Sequence, residues 1–365
     1  MVKFVEKEEE PGIINVKVVG VGNAGSNIVS RISGKIEGVT FIVFNTDANA
    51  LKYSKADVKR QIGEKTTHGR GTGRDPEKGK FAANEDRDKI EDVLRNANIV
   101  FLLAGLGGGT GTGSSPVIAK IAKDLGAIVI SIVTTPFEFE GEKRIGHAKR
   151  GIEILESTVD TLIHIPNQRL YELVDENITL PDAFGKVDER ILRTVASLSD
   201  LIYKQKVLDI DFADICSIVE NAGRGLVGLG SGEGEGRMET AARTTIDDPL
   251  IEKSDMMEAK NILISITGSK NLTLKEVGEA MNLIQARIAC PSKILGVTID
   301  PQLENEVKIT LLATGISGSK PRPEGIMRKH TEKKPEELPL SPDDREPEPD
   351  TDIPTFLRRK KGGIL

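Results

Sequence analysis

From Val16 onward the chain alternates short, fully apolar runs with longer stretches in which apolar residues recur every three or four positions. The short runs, at 16–19, 39–44, 99–103, 127–133 and 161–165, have the length and β-branched content of buried strands. The stretches between them, 24–32, 76–95, 114–125 and 143–158, have helical spacing; in the last, Ile145, Ala148, Ile152 and Leu155 fall on one face. Strands apolar on both faces and separated by helices predict a parallel sheet covered on both sides. A long helix over about 180–204 follows, with Ile191, Val195, Leu198 and Ile202 as its apolar stripe. An acidic turn at 209–214 opens another helix. Beyond 223 the strands 225–230, 261–267, 294–299 and 307–313 enclose helices at 237–245 and 273–287, a second and smaller α/β domain.

Composition changes this picture at the ends. Residues 1–12 read as a disordered acidic arm. Eight of the 17 prolines lie in the last 45 residues, and positions 331–350 carry eleven charges and two leucines. Such a segment buries too little apolar surface to offset its ordering entropy, so 318–351 is expected to be a disordered linker. Apolar character returns at Asp352-Ile353-Pro354-Thr355-Phe356-Leu357, followed by Arg358 and Arg359, so 352–365 reads as a docking peptide on a tether.

A net charge of −6, ten Phe, three Tyr and no Trp disfavour a nucleic-acid binder, which needs a basic surface and stacking platforms. No apolar run approaches the roughly 18–20 residues that span a bilayer, and the first ten residues are acidic. The expectation is a soluble cytoplasmic protein with no direct membrane insertion. Cys216 and Cys290 lack CxxC partners, so neither a disulfide framework nor a protein-held metal is expected.

The chemistry is concentrated in three glycine loops. Gly20-Val21-Gly22-Asn23-Ala24-Gly25 joins the first strand to the first helix, the setting in which free helix N–H groups bind a phosphate. Asp47, 22 residues beyond Gly25, stands where a dinucleotide fold places its ribose acid. The second loop is Gly107-Gly108-Gly109-Thr110-Gly111-Thr112-Gly113, again between a buried strand and a helix. Its five glycines let backbone N–H groups approach phosphate oxygens, and Thr110 and Thr112 add hydroxyls. No lysine follows, so it is not a Walker A loop. The third, Gly69-Arg70-Gly71-Thr72-Gly73-Arg74, precedes the helix at Pro76. Three such loops at neighbouring strand ends predict a nucleoside triphosphate site.

With its flanks Ala104-Gly105-Leu106 and Ser114-Ser115-Pro116, the second loop resembles the signature of the tubulin/FtsZ family, and its bacterial FtsZ branch in particular. Asn45-Thr46-Asp47, Thr134-Thr135-Pro136-Phe137, Glu140-Gly141, Asp182-Ala183-Phe184, Asp211-Phe212-Ala213-Asp214 and the tail motif are similar as well, in order along 16–317 and at the end. The resemblance implies a Rossmann-like GTPase domain (13–205) joined through its long central helix to a catalytic loop and helix (206–222) and a smaller α/β domain (223–317). Gly22, Asn27, Gly73 and the run from Gly107 to Gly113 would surround the phosphates, with Asn23, Asn45 and Thr72 beside them. Thr134, Glu140 and Arg144 would lie toward the ribose and phosphates, Phe184 would stack on guanine, and Asp188 would accept hydrogen bonds from the base. Asp211 and Asp214, with Asp209 beside them where relatives carry Asn, would reach the nucleotide of the next subunit and orient water for hydrolysis. The resemblance further implies GTP and GDP as ligands, Mg²⁺ entering with the nucleotide, head-to-tail filaments, a division ring at mid-cell, and membrane-tethering partners held by the tail. A nucleotide-binding scaffold without turnover and, from Gly20 to Gly25 with Asp47 alone, an NAD(P)-dependent dehydrogenase remain as alternatives.

Overall fold

The computed structural model describes residues 14–172, 178–204, 206–208, 210–248, 256, 258–288 and 290–316. The acidic arm, Asp209, the linker and the docking peptide lie outside the described residues. The first half runs β1 (Val16–Val21), α1 (Gly22–Ile32), β2 (Val39–Asn45), α2 (Ala48–Tyr53), β3 (Val58–Gln61), α3 (Glu64–Thr67), α4 (Pro76–Glu85), α5 (Arg87–Leu94), β4 (Ile99–Gly105), α6 (Thr110–Asp124), β5 (Ile128–Thr135), α7 (Glu142–Glu156) and β6 (Thr161–Pro166). The second runs α8 (Leu180–Tyr203), β7 (Lys206–Leu208), α9 (Phe212–Val219), β8 (Gly223–Glu233), α10 (Arg237–Ile246), β9 (Asn261–Gly268), α11 (Leu274–Arg287), β10 (Ser292–Ile299) and β11 (Glu306–Thr314).

Among the described residues the strands form one sheet in the order β3-β2-β1-β4-β5-β6-β8-β11-β9-β10-β7. The first six strands are parallel, as expected from their unbroken apolar character. Alternate residues serve opposite faces: Val18 and Phe101 join α1 and α8 in one core, while Val19 and Leu102 join α6 in another. A third core fills the second half around Met238, Ile264 and Leu311.

The two halves, separate in the sequence pattern, share this sheet. The first three residues of β8 pair with β6 (Thr161 with Gly223, Leu162 with Arg224, Ile163 with Gly225), and the rest of the strand pairs with β11. A joint of three residue pairs, two of them contributed by glycines, has no hydrophobic pattern to betray it. Helix α8 lies across the first core, with Val187, Ile191, Val195, Leu198 and Leu201 buried; Leu201 takes the place assigned to Ile202, which is only partly buried. Its 24 residues span about 36 Å.

Several boundaries differ from the sequence pattern; β8 covers Gly223–Glu233 where 225–230 is expected. The helix expected over 76–95 is broken at Asp86, whose buried carboxylate accepts from Gly63 N at 2.7 Å and pairs with Lys89 at 2.6 Å. Helices α1 and α6 begin inside their glycine runs, two and four residues earlier than expected. Strands β3 and β7 were not anticipated; each is a short edge strand of too few residues to show a period. Cys216 and Cys290 are both buried and free.

Candidate functional site

The carboxyl ends of β1, β4 and β5 open into a cavity of about 570 Å³, between the α1 and α6 N-termini on one side and α8 on the other. Crevices at strand carboxyl ends are where ligands bind in open α/β sheets. Gly22 allows the first two glycine loops to touch: it sits at φ +70, and a Cβ there would stand 2.9 Å from Gly111 N. The start of α6 within the second loop aims free N–H groups of the first helical turn at the cavity.

Of the residues singled out from sequence, Asn23, Asn27, Asn45, Thr72, Gly73, Gly108, Gly109, Thr110, Gly111, Thr134, Glu140, Arg144, Phe184 and Asp188 line this one cavity. Gly22, Gly107, Thr112 and Gly113 stand behind its wall. Thr112 does not offer its hydroxyl to a ligand as anticipated: Oγ1 accepts from Gly107 N at 2.9 Å and fixes the loop from behind. Gly113 packs α6 on α4, since any side chain there would run into Pro76 O. Asn45 donates to Asn23 Oδ1 at 2.8 Å and to Ser26 Oγ at 3.2 Å, and Thr46 and Thr110 share a 2.7 Å hydroxyl contact, so polar groups of β2, α1 and α6 are locked together beneath the cavity.

The acids split into two groups. Asp47, Glu140 and Asp188 line the cavity, and each is engaged. Asp47 Oδ1 accepts from Asn49 N at 2.9 Å and Ala50 N at 3.3 Å, capping α2; it is a helix cap rather than the ribose acid the dehydrogenase alternative requires. Glu140 pairs with Arg144 and accepts from Phe137 N. Asp188 pairs with Arg31; burial pushes its carboxyl above the ordinary value, and Arg31 opposes that shift. Asp211 and Asp214 lie elsewhere, exposed at the start of α9, where Asp214 Oδ2 accepts from Asp211 N at 3.1 Å.

Two polar atoms of the cavity residues are buried without a partner: Asn167 Oδ1 and Arg144 Nε. Buried groups of this kind normally find a hydrogen bond, from protein or from water. Sequence reasoning passed over Asn167 and Arg31. Asn167 directly follows β6, so the rule that strand carboxyl ends carry the site pointed to it. Arg31 gave no such signal, since it sits in the last turn of an amphipathic helix and is known only by the partner α8 brings to it.

His164 lies behind this wall and meets Thr135 Oγ1 through Nε2 at 2.9 Å. Burial, then the charges of Arg224 and Arg169, push it down from 6.5 to about 4. The folded chain therefore holds it neutral where the unfolded chain protonates it, so stability falls as pH drops from 6.5 toward 4 and gains nothing from this group above 6.5. His164→Gln is expected to flatten that part of a plot of urea midpoint against pH; an unaltered slope would assign the acid sensitivity to other groups.

Residues 15–175 match the family model described as the tubulin/FtsZ family GTPase domain, and residues 223–317 match the FtsZ family C-terminal domain. Among solved structures, the chain is similar to an empty FtsZ dimer from M. jannaschii, with 39% identity and a TM-score of 0.78 over 84% of this chain and 89% of that one. CetZ2 from Haloferax volcanii, a GTPγS-bound protofilament, shares the fold at 20% identity and a TM-score of 0.71, over 84% of this chain and 95% of that one. CetZ1 from the same organism, a GDP-bound monomer, does so at 21% identity and a TM-score of 0.73, with the same coverage.

Proposed function

Because the chain belongs to the tubulin/FtsZ family of GTPases, we propose that it binds GTP in the cavity of its first half, assembles head to tail, and hydrolyses GTP only where two copies meet. One observation carries this reading. The cavity holds the glycine loops, Phe184 and Asp188, and its three acids are bonded to its own walls, while the exposed pair Asp211 and Asp214, which cap α9, stands outside it. A loop that cannot serve its own nucleotide serves that of a neighbour in a heterologous contact, and repetition of that contact makes a filament.

In this reading Gly108 to Gly111 and the first turn of α6 hold the phosphates through N–H groups. Phe184 stacks on the base, Asp188 accepts its donors, and Asn167 and Arg144 lie in the wall beside the nucleotide. Asp211 and Asp214 of the next copy orient a water for in-line attack on the γ-phosphorus, giving GDP and phosphate, a reaction in which positioning and electrostatics do most of the work. Among the described residues no group of three acidic, His or Cys side chains could hold a metal. A magnesium ion arriving with the triphosphate would take its ligands from phosphate oxygens and water. No helix among the described residues is long and apolar enough to cross a membrane. Attachment would instead run through the tail, with Ile353, Phe356 and Leu357 as apolar anchors and Arg358 and Arg359 as charged flanks for a membrane-tethering partner at the mid-cell division ring.

GTP-dependent sedimentation with phosphate release measured on the same sample tests this. Pelleting and release are both expected, and a chain truncated before Asp352 should match the full one. A pellet without phosphate would make the protein a scaffold, and neither response would remove the reading.

A further inference from the structure

The sheet face that packs on α4, α5 and α6 is left open at one corner. Lys17 of β1 stands in register with Thr40 of β2, and Ile42 of β2 with Val58 of β3, so these four side chains share that face. Thr40 is exposed and Val58 half-buried, because no helix covers the sheet there. With Arg60 of β3 on one side and the flank of α5 on the other, the opening is a groove of about 390 Å³. It lies at the amino ends of β1 and β2, the opposite end of these strands from the candidate nucleotide cavity.

Three cations, Lys17, Arg60 and Lys89, and one acid, Asp92, line the groove, over a floor that includes Ile42, Val58 and Val93. Lys17 Nζ rests on the carbonyl oxygens of Val93 and Arg95 at 2.9 and 2.6 Å, Lys89 pairs with Asp86, and Asp92 pairs with Arg95. Among the described residues the exposed Arg60 guanidinium makes one hydrogen bond, to Lys59 O at 3.0 Å, and no ion pair. A cationic rim over an apolar floor fits an acidic segment that carries apolar side chains.

The chain has such a segment beside the groove. Residues 4–10 read Phe-Val-Glu-Lys-Glu-Glu-Glu, two apolar side chains and four carboxylates against one lysine. Asn15 N donates to Asn98 Oδ1 at 2.7 Å and Asn98 N to Asn15 O at 2.9 Å, so the chain enters β1 alongside the turn that joins α5 to β4. Two strand spacings, roughly 10 Å, separate Lys17 from β3. The five residues from Asn15 back to Glu10 reach up to about 17 Å, and Pro11-Gly12 between them favours a reversal of direction.

We propose that residues 4–10 lie in this groove of their own chain, with Phe4 and Val5 on the apolar floor and the glutamates against Lys17, Arg60 and Lys89. A tethered segment meets its site at an effective concentration in the millimolar range, so weak contacts suffice to hold it. Placed there, its carboxylates also stand beside β3, the edge strand at one end of the sheet, and discourage pairing with the edge of another chain.

The chain has no Trp, so Phe4→Trp makes the arm its only indole. In the full chain without nucleotide, Trp emission is expected to be blue-shifted and acrylamide quenching several-fold slower than in a free peptide of residues 1–12. Both signals should be lost at 1 M salt, where the screening length falls to about 3 Å. Arg60→Ala should weaken them and Arg60→Lys retain them. Replacing the four arm glutamates by Gln, which leaves the folded body untouched, should abolish them. They should not change over a roughly hundredfold range of protein concentration, since the contact is intramolecular. A Trp as exposed as in the free peptide would overturn the proposal. Burial that survives both salt and the Gln arm would overturn it in favour of apolar burial elsewhere, and burial that grows with concentration would overturn it in favour of the groove of a second copy.

Discussion

Mixed in equal amounts, the variants Asp214→Ala and Gly108→Asp are expected to release more phosphate from GTP than the same total protein of either variant alone. Asp214 is exposed, and its carboxylate caps α9 by accepting from Asp211 N, so its loss costs the fold on the order of 1 kcal/mol. If it helps to orient the attacking water, turnover falls about 10²- to 10⁴-fold while GTP binding and assembly persist. Gly108 is the suitable pocket position because nothing lies within 4 Å of a Cβ built on it. A carboxylate fits there without strain, yet it stands in the cavity and would repel the phosphates of the proposed ligand. Gly109 and Gly111 offer no such control, since side chains there run into Thr72 and Gly105 and would disturb the loop itself. In random co-assembly about one contact in four joins an intact pocket to intact acids, so about a quarter of wild-type turnover is the ceiling. Co-sedimentation of the two variants with no gain in phosphate would mean that pocket and acids of different copies do not cooperate. Asp214→Asn, which keeps an acceptor for Asp211 N, should behave as Asp214→Ala does.

Much of this arrangement was legible because local rules agree with tertiary demands. A buried strand, a glycine run and a helix in succession have one economical solution, with the run at the strand's carboxyl end and the helix N-terminus over it, and β4 to α6 adopts it. The same rule misjudged Thr112 and Gly113, because α6 begins at Thr110 and turns those two positions toward the helix's packed side. What sequence could not supply were relations between distant segments. Arg31 becomes part of the site only when α8 sets Asp188 beside α1, 157 residues away. The β6–β8 joint rests on backbone hydrogen bonds that leave no side-chain pattern. Asn167 is a polar residue in a connecting segment like many others, and becomes notable only when its Oδ1 is found buried and unpartnered.

The largest effect expected of a single side chain on recognition is at Asp188: GTP should outcompete ATP by at least about 10³-fold, and Asp188→Ala should erase most of that margin. Phe184 and Asp188 are one turn apart on α8, so a base lying on the Phe184 ring has its edge turned toward the carboxylate. Phe184 is held for this from below by Phe137, edge to face at 5.8 Å and 77°. Guanine offers that carboxylate two donors, N1–H and the 2-amino group, whereas adenine has an acceptor at N1 and no 2-amino group. An acceptor-only group set against an acceptor repels it, and the carboxylate gains no hydrogen bond from the base, which is why such sites discriminate far better than apolar pockets. Arg31 has a part in this: by opposing the upward push of burial, it keeps Asp188 ionised and therefore able only to accept. Acid that protonates Asp188, whose carboxyl burial holds above the ordinary aspartate value, should weaken GTP binding. Inosine triphosphate, which keeps N1–H and lacks the 2-amino group, should fall between GTP and ATP. Competition titrations with the three nucleotides at fixed pH read all of this directly, and equal binding of GTP and ATP by the wild-type chain would remove Asp188 from base recognition.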